Sequence, residues 1–368
     1  MKRSNLGRRE VLKATALAGA GMLIGAGRAR ANDGEGERND EPRRSTQHRI
    51  TGVLAPAITP FRADTHAPDR KRYIRHCKWL LSHGCSALAV FGTNSEANSM
   101  SVEEREELLY GLVEGGVDPG RLMPGTGACD VPSAVRLTRA AVSVGASGQL
   151  MLPPFYYKQA TNGTGVPDEG LFRYYSEVIQ RVGDSSMRIY LYHIPGTSGI
   201  AFSLPLIERL FSTYPGTIAG MKDSGNNMAY TLSVLGAVGH SGFDVFVGSE
   251  QFLLANMQNG GVGCISATAN VNPGAIDRLF RTWQAPDAQQ QQDALNVVRA
   301  TFSAYPMIPA LKWAVSHYGN DPAWPTVRPP WAELSTAEGA QLISKLDAIG
   351  FTMPGLQGPP RGEEESEG

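Results

Sequence analysis

A lysine that closes a short apolar run is the first group in this sequence equipped for covalent chemistry. Lys222 ends Ile218-Ala219-Gly220-Met221-Lys222 and is followed by Asp223-Ser224-Gly225. With an ordinary pKa of ~10.4 the amine is almost wholly protonated at neutral pH; removal from water favours the neutral form, which attacks carbonyl carbon. A small apolar strand supplies that environment if the side chain points into the mouth of a core, whereas a stem lying along a rim would leave the head solvated. Tyr192 ends another such run, Arg188 to Tyr192. Placed inward on a neighbouring strand its phenol can shuttle a proton for a carbonyl attacked by Lys222, and a packed ring with a locally satisfied hydroxyl is the plainer alternative. Thr93 and Asn94 open a turn before Glu96 in Gly92-Thr93-Asn94-Ser95-Glu96. Backbone N–H groups in such a turn can grip a carboxylate, or simply cap a helix.

These residues need a frame that brings strand ends together. Eight short apolar runs bounded by Gly, Pro or Asn recur along the chain: 52–59, 87–91, 122–126, 149–152, 188–192, 218–222, 243–248 and 263–267. Helical patterns separate them, for example 69–83, 101–115 with the capping box Ser101-x-x-Glu104, 133–144, 170–182 and 205–212. Eight alternations over ~220 residues predict a parallel α/β fold closed as a (β/α)₈ TIM barrel, with reactive groups at the carboxyl ends of its strands. Four strand ends then matter: Gly92 to Glu96 after the second run, Pro153-Pro154-Phe155-Tyr156-Tyr157 after the fourth, Tyr192 on the fifth and Lys222 on the sixth. An open doubly wound sheet would carry a glycine-rich phosphate turn after its first strand, which Leu54-Ala55-Pro56-Ala57-Ile58-Thr59-Pro60 does not provide. The predicted barrel spans 50–283. A C-terminal helical extension follows over 284–354, and an acidic tail without apolar content over 355–368.

The first thirty-one residues belong to a different argument. Gly7-Arg8-Arg9-Glu10-Val11-Leu12-Lys13 precedes an Ala/Gly-rich apolar stretch and a small-residue site at Ala29-Arg30-Ala31. This is the pattern of a twin-arginine signal peptide, too short in its apolar part to span a bilayer, and it predicts a periplasmic protein exported already folded. Residues 32–49 read as a flexible linker. With 368 residues, 42% hydrophobic, and a formal net charge of −1, the chain can bury a large core and offers no basic stripe for nucleic acid. Cys77, Cys85, Cys129 and Cys264 form no Cys-x-x-Cys pair and have no histidine at metal-ligand spacing. Buried free thiols are expected, with one disulfide possible in an exported protein.

Taken together, the strand-end residues resemble the dihydrodipicolinate synthase and N-acetylneuraminate lyase family over about 50–350. Gly92-Thr93-Asn94-Ser95-Glu96 is similar to that family's carboxylate loop, with Ser95 in place of its second glycine. Tyr192-His193-Ile194-Pro195-Gly196-Thr197-Ser198-Gly199 resembles its Tyr-Asn-(Val/Ile)-Pro segment, Gly220-Met221-Lys222-Asp223 its Schiff-base motif, and Gly263-Cys264-Ile265-Ser266-Ala267-Thr268-Ala269-Asn270 its eighth-strand motif. The resemblance implies that Lys222 forms an imine with pyruvate, that Tyr192 relays protons, and that Thr93 and Asn94 hold the carboxylate, with Thr93 bonding the Tyr192 hydroxyl. It implies that Tyr156 enters the site of a neighbouring copy, so that the protein is a homo-oligomer, commonly a tetramer. Ser224, Ser249, Glu250, Gln251 and Ser266 occupy positions similar to hydroxyl-binding ones in sialic acid lyases, although Ser249-Glu250-Gln251 differs from the acidic pair there, and Ile265 of the eighth-strand motif is expected to bind substrate with them. Thr197 stands where lysine-biosynthetic members place a carboxylate-gripping arginine, which argues against that reaction.

The expected reaction is therefore aldol cleavage or formation of a 2-oxo-3-deoxy or 4-hydroxy-2-oxo acid from pyruvate and an aldehyde, with no metal and no organic cofactor. A dehydratase of a deoxy-oxo-sugar acid on the same imine, or a non-catalytic periplasmic oxo-acid receptor, are the alternatives. A dehydratase releases no aldehyde, and a receptor needs neither the amine nor the phenol.

Overall fold

The computed structural model describes residues 49–157 and 165–358. The predicted signal peptide, nearly all of the predicted linker and the predicted tail beyond Gly358 lie outside them. Among the described residues there are seven strands: β1 (Gly52–Ala55), β2 (Ala87–Leu88), β3 (Gln149–Met151), β4 (Ile189–His193), β5 (Ile218–Asp223), β6 (Asp244–Val247) and β7 (Gly263–Ile265). All pair in parallel, in the order β2-β1-β7-β6-β5-β4-β3. Parallel neighbours require crossover helices, and the capped amphipathic segments of the sequence provide them. Ser101 and Glu104, for instance, form both bonds of the expected box ahead of the helix Val102–Glu114.

The run 122–126, expected as a full strand, is instead a segment held by single bridges. Leu122 pairs with Leu88 of β2, and Gly125 with Leu150 of β3, so the segment touches both edge strands of the sheet. Met123 N–H donates to Leu88 O at 2.8 Å and Thr126 N–H to Leu150 O at 2.9 Å. Pro124 interrupts the ladder because it has no N–H to donate, although its carbonyl still accepts from Leu150.

Side chains alternate across the sheet, except at one register shift on β5. Ile189 and Leu191 of β4, and Val245 of β6, belong to one outer apolar layer, and Val53 and Cys264 to another. Leu54, Ala87, Met123, Leu150, Tyr190, Tyr192, Phe246 and Ile265 share a separate inner cluster. On β5, Met221 is in the outer layer, so Lys222 points with the inner cluster. A register shift between β4 and β5 opposite Ile189 and Tyr190 lets Ala219 join that cluster too. Gly220 lies one inward position below Lys222, where a Cβ would meet Asp244 O at 2.2 Å, so only glycine permits β5 and β6 to approach there. Beneath the cluster, the buried Asp244 accepts from Tyr190 Oη at 3.1 Å and from Arg49.

After β7 comes the helix Pro273–Thr282, within the range predicted for the barrel, and then Ala288–Ser303, Met307–Gly319 and Thr336–Ala348, all within 284–354. The start of the predicted tail is not loose: Leu356 packs against the main core, just after Pro354, whose carbonyl accepts from Trp79 Nε1 at 3.0 Å. All four cysteines are free thiols; Cys77, Cys85 and Cys264 are buried, whereas Cys129, expected to be buried, is half-exposed beside the loop at Tyr156. Among the described residues no helix is long and apolar enough to cross a membrane, and no cluster of three or more His, Cys, Asp or Glu side chains is placed to hold a metal ion.

Candidate active site

Lys222 and Tyr192 are direct partners in the β4–β5 register. Because both point to the inner side at the carboxyl ends of their strands, Lys222 Nζ donates to Tyr192 Oη at 3.0 Å. On its other side the phenol meets Thr93 Oγ1 at 3.1 Å. Lys222 is 3% and Tyr192 2% exposed. The side chains of the inner cluster beneath the amine are apolar or aromatic. Burial pushes the phenol's pKa up, but the Lys222 charge and hydrogen bonds from Thr93, Lys222 and Ser224 outweigh it, leaving the group below the usual tyrosine value. An amine, a phenol inclined to ionise and a hydroxyl thus form one linear relay.

The loop that carries Thr93 is locally strained and locally anchored. Phe91 and Glu96 both adopt left-handed backbone at φ 59° and 56°, a conformation non-glycine residues avoid. Position 95 is not left-handed, which explains why serine can replace the glycine of the resembled motif. Its hydroxyl is put to use, donating to Ala57 O at 2.5 Å and accepting from Gly92 N–H at 3.3 Å. Thr59 Oγ1 in turn donates to Ser95 O at 2.9 Å. Asn94 sits half-buried next to Thr93.

The remaining residues singled out from the sequence divide into three groups. Ser224 follows Lys222, with its N–H donating to His193 O at 2.7 Å, and Ile265 forms part of the inner floor. Glu250 and Ser266 are engaged with each other: Ser266 and Thr268 hydroxyls donate to the Glu250 carboxylate, Arg299 Nη1 lies 3.2 Å from it, and Glu250 and Ser266 are each at most 1% exposed. Ser249 Oγ donates to Gln251 Oε1 at 3.3 Å at the start of that turn. Tyr156 and Thr197 face outward: Tyr156 is 79% exposed, edge-on to Tyr157, and Thr197 is exposed in the short helix Pro195–Ser198.

Replacing Arg299 by methionine is expected to cost about 3 kcal/mol, since it leaves a buried carboxylate without its cation. A fall in the urea midpoint with unchanged turnover per folded molecule would mark the Glu250 network as structural. Lost turnover at unchanged stability would return Glu250 and Ser266 to the substrate.

Two residues next to the site escaped the sequence reading. His193, on the outer side of β4, accepts from Phe202 N–H through Nδ1 at 3.2 Å, stacks on Tyr230 at 4.4 Å and faces Asp223 at 3.9 Å. Burial holds its pKa below the usual histidine value despite that carboxylate. Lys312 is wholly buried beside Glu96. Its signal was present: a lone lysine within Ile308-Pro309-Ala310-Leu311-Lys312-Trp313-Ala314-Val315.

The model of the dihydrodipicolinate synthetase family matches residues 49–349. The chain belongs to that family. Members of the family act as lyases, and this chain is an enzyme of that aldolase/lyase kind. It is 30% identical to a 4-hydroxy-tetrahydrodipicolinate synthase of Gluconacetobacter diazotrophicus, over 82% of this chain and 97% of that protein. It is 27% identical to an uncharacterized DapA-like lyase of Chloroflexus aurantiacus, over 81% and 96%. Among solved structures, the dihydrodipicolinate synthase of Agrobacterium tumefaciens superposes with a TM-score of 0.74 at 29% identity, covering 82% of this chain and 99% of that one. The E. coli prophage protein YagE, a family member crystallised with pyruvate, gives a TM-score of 0.74 at 25% identity with the same coverage.

Proposed function

We propose that this family member is a class I aldolase that cleaves a 2-oxo-3-deoxy or 4-hydroxy-2-oxo acid to pyruvate and an aldehyde, or runs the reverse, through an imine on Lys222. The observation that carries this reading is the buried relay Lys222–Tyr192–Thr93, with contacts of 3.0 and 3.1 Å, at the carboxyl ends of parallel strands. The neutral amine adds to the keto carbon and water leaves. The protonated imine then accepts the electron pair released when the bond between the third and fourth carbons of the acid breaks. Tyr192 takes the proton from the fourth-carbon hydroxyl as the aldehyde departs, and returns one to the enamine. Thr93 and Asn94 bind the carboxylate, and hydrolysis of the imine frees pyruvate. The chain supplies every group this sequence needs, so the proposal includes no metal and no organic cofactor.

Thr197, neutral and exposed where a second carboxylate would need an arginine, supports a neutral polyhydroxylated substrate tail over dihydrodipicolinate synthesis. The bridges of 122–126 to both edge strands support reading the sheet as a closed eight-part ring. The exposed Tyr156–Tyr157 pair supports a homo-oligomer, with a tetramer as the proposed assembly, in which a second copy covers it. The twin-arginine pattern supports export to the periplasm. The test is incubation of the protein with pyruvate and borohydride followed by peptide mapping. A reduced pyruvate adduct on the peptide containing Lys222 is expected, and unmodified protein overturns the reading.

A further inference from the structure

The helix Met307–Gly319 contributes no residue to the relay, yet it buries a lysine against the loop that does. Lys312 Nζ lies 2.5 Å from Glu96 Oε1, donates to Thr326 O at 2.7 Å and sits 4.6 Å from the centre of the Phe61 ring. The other Glu96 oxygen accepts the N–H of Arg328 at 2.9 Å. Arg328's guanidinium is held by Glu104 and shares the Phe61 ring at 4.8 Å. Glu96 is the left-handed residue that closes the carboxylate loop, and its own N–H donates to Thr93 O at 3.1 Å. The position of Glu96 therefore fixes the peptide of the residue that touches Tyr192. A buried ion pair is a poor way to gain stability, because desolvation cancels much of the attraction, but it is an effective way to fix one geometry. Here it fixes a backbone conformation that glutamate would otherwise avoid.

We infer that Lys312 is a positioning residue for oxo-acid binding: acting through Glu96, it holds Thr93 and Asn94 where they grip the carboxylate. This rests on the reading of Lys222 as the imine-forming lysine. Lys312 touches no reacting atom and is fully enclosed, so its effect reaches the substrate only through the loop. Burial lowers its pKa to about 8 against the pull of Glu96 and Glu333, with the Arg328 cation on the same ring. The pair is thus ionised at neutral pH and loses its proton in mildly alkaline solution.

The experiment compares the full chain with Lys312→Met and Glu96→Gln variants by borohydride trapping on Lys222. Two probes are used: pyruvate, and methyl pyruvate, which keeps the ketone and lacks the anionic carboxylate. In both variants the pyruvate concentration for half-maximal trapping is expected to rise about ten- to a hundredfold, the scale of a small misplacement of binding groups. The methyl pyruvate value is expected to hold. In the native protein, moving from about pH 7 to about pH 9, across the lysine's lowered pKa, should weaken pyruvate relative to the ester. Glu96→Gln should lack that step, and these two measurements carry the test if Lys312→Met does not fold. Equal weakening of both probes, or no change in either, overturns the inference and leaves the imine reading standing. A native protein that traps neither probe on Lys222 overturns both.

Discussion

A Lys222→Met variant should form no borohydride-stable adduct with pyruvate and should lose roughly 10⁴- to 10⁶-fold in turnover, the range seen when a covalent nucleophile is removed. The argument is geometric. Lys222 is 3% exposed, and its amine has a phenol at 3.0 Å and the face of that same ring at 4.2 Å. A lysine solvated at a rim would have neither contact. Methionine fills nearly the same volume and does not require an amine to be held out of water, so the fold should survive with a melting temperature equal to or above that of the native chain. Loss of trapping in a well-folded variant assigns the chemistry to one nitrogen. Retained trapping at another lysine would remove Lys222 from the centre of the mechanism. Far-ultraviolet circular dichroism, a melting curve and peptide mapping of the adduct decide between these outcomes.

How far the sequence alone leads to this site depends on the kind of contact involved. Lys222 and Tyr192 were legible because each ends an apolar run and consecutive strands of a parallel α/β fold tend to be neighbours; on β4 and β5 the two are direct register partners. Thr93 was legible because its loop follows another such run. Glu250 and Ser266 look like open hydroxyl- and carboxyl-bearing positions at strand ends. What engages them is Arg299, 49 and 33 residues further on, on a helix whose docking no local pattern specifies. The same limit hid the role of Lys312, whose partner Glu96 precedes it by more than two hundred residues. The segment at 122–126 was expected as a strand from its apolar character, and Pro124 explains why only isolated bridges form there. Ser95 shows the opposite case: a departure from the family motif is accommodated because its backbone needs no left-handed angle and its hydroxyl finds Ala57 O.

Tyr192→Phe should preserve the imine and lose the proton traffic. The variant keeps the ring that packs with Phe246 and Ile265 in the inner cluster, so Lys222 remains buried and pyruvate should still be trapped. Turnover should fall by about 10²- to 10³-fold, within the range that a positioned general acid–base contributes. The pH dependence gives the sharper test. Burial alone would raise the phenol's pKa, but the Lys222 charge and the donors Thr93, Lys222 and Ser224 bring it below the usual tyrosine value. A phenolate acting as base in cleavage is available above that lowered pKa, so the native rate should climb with pH on a limb lying below ~10 and level off once the phenol has ionised. The phenylalanine variant should lack that limb. Thr93→Val, which takes away one of the donors opposing burial while leaving Lys222 in place, should move the limb to higher pH instead of abolishing it. Rates of pyruvate release measured from about pH 6 to about pH 10 for the three proteins would separate these behaviours, and a limb that persists unchanged in Tyr192→Phe would assign the proton relay to a different group.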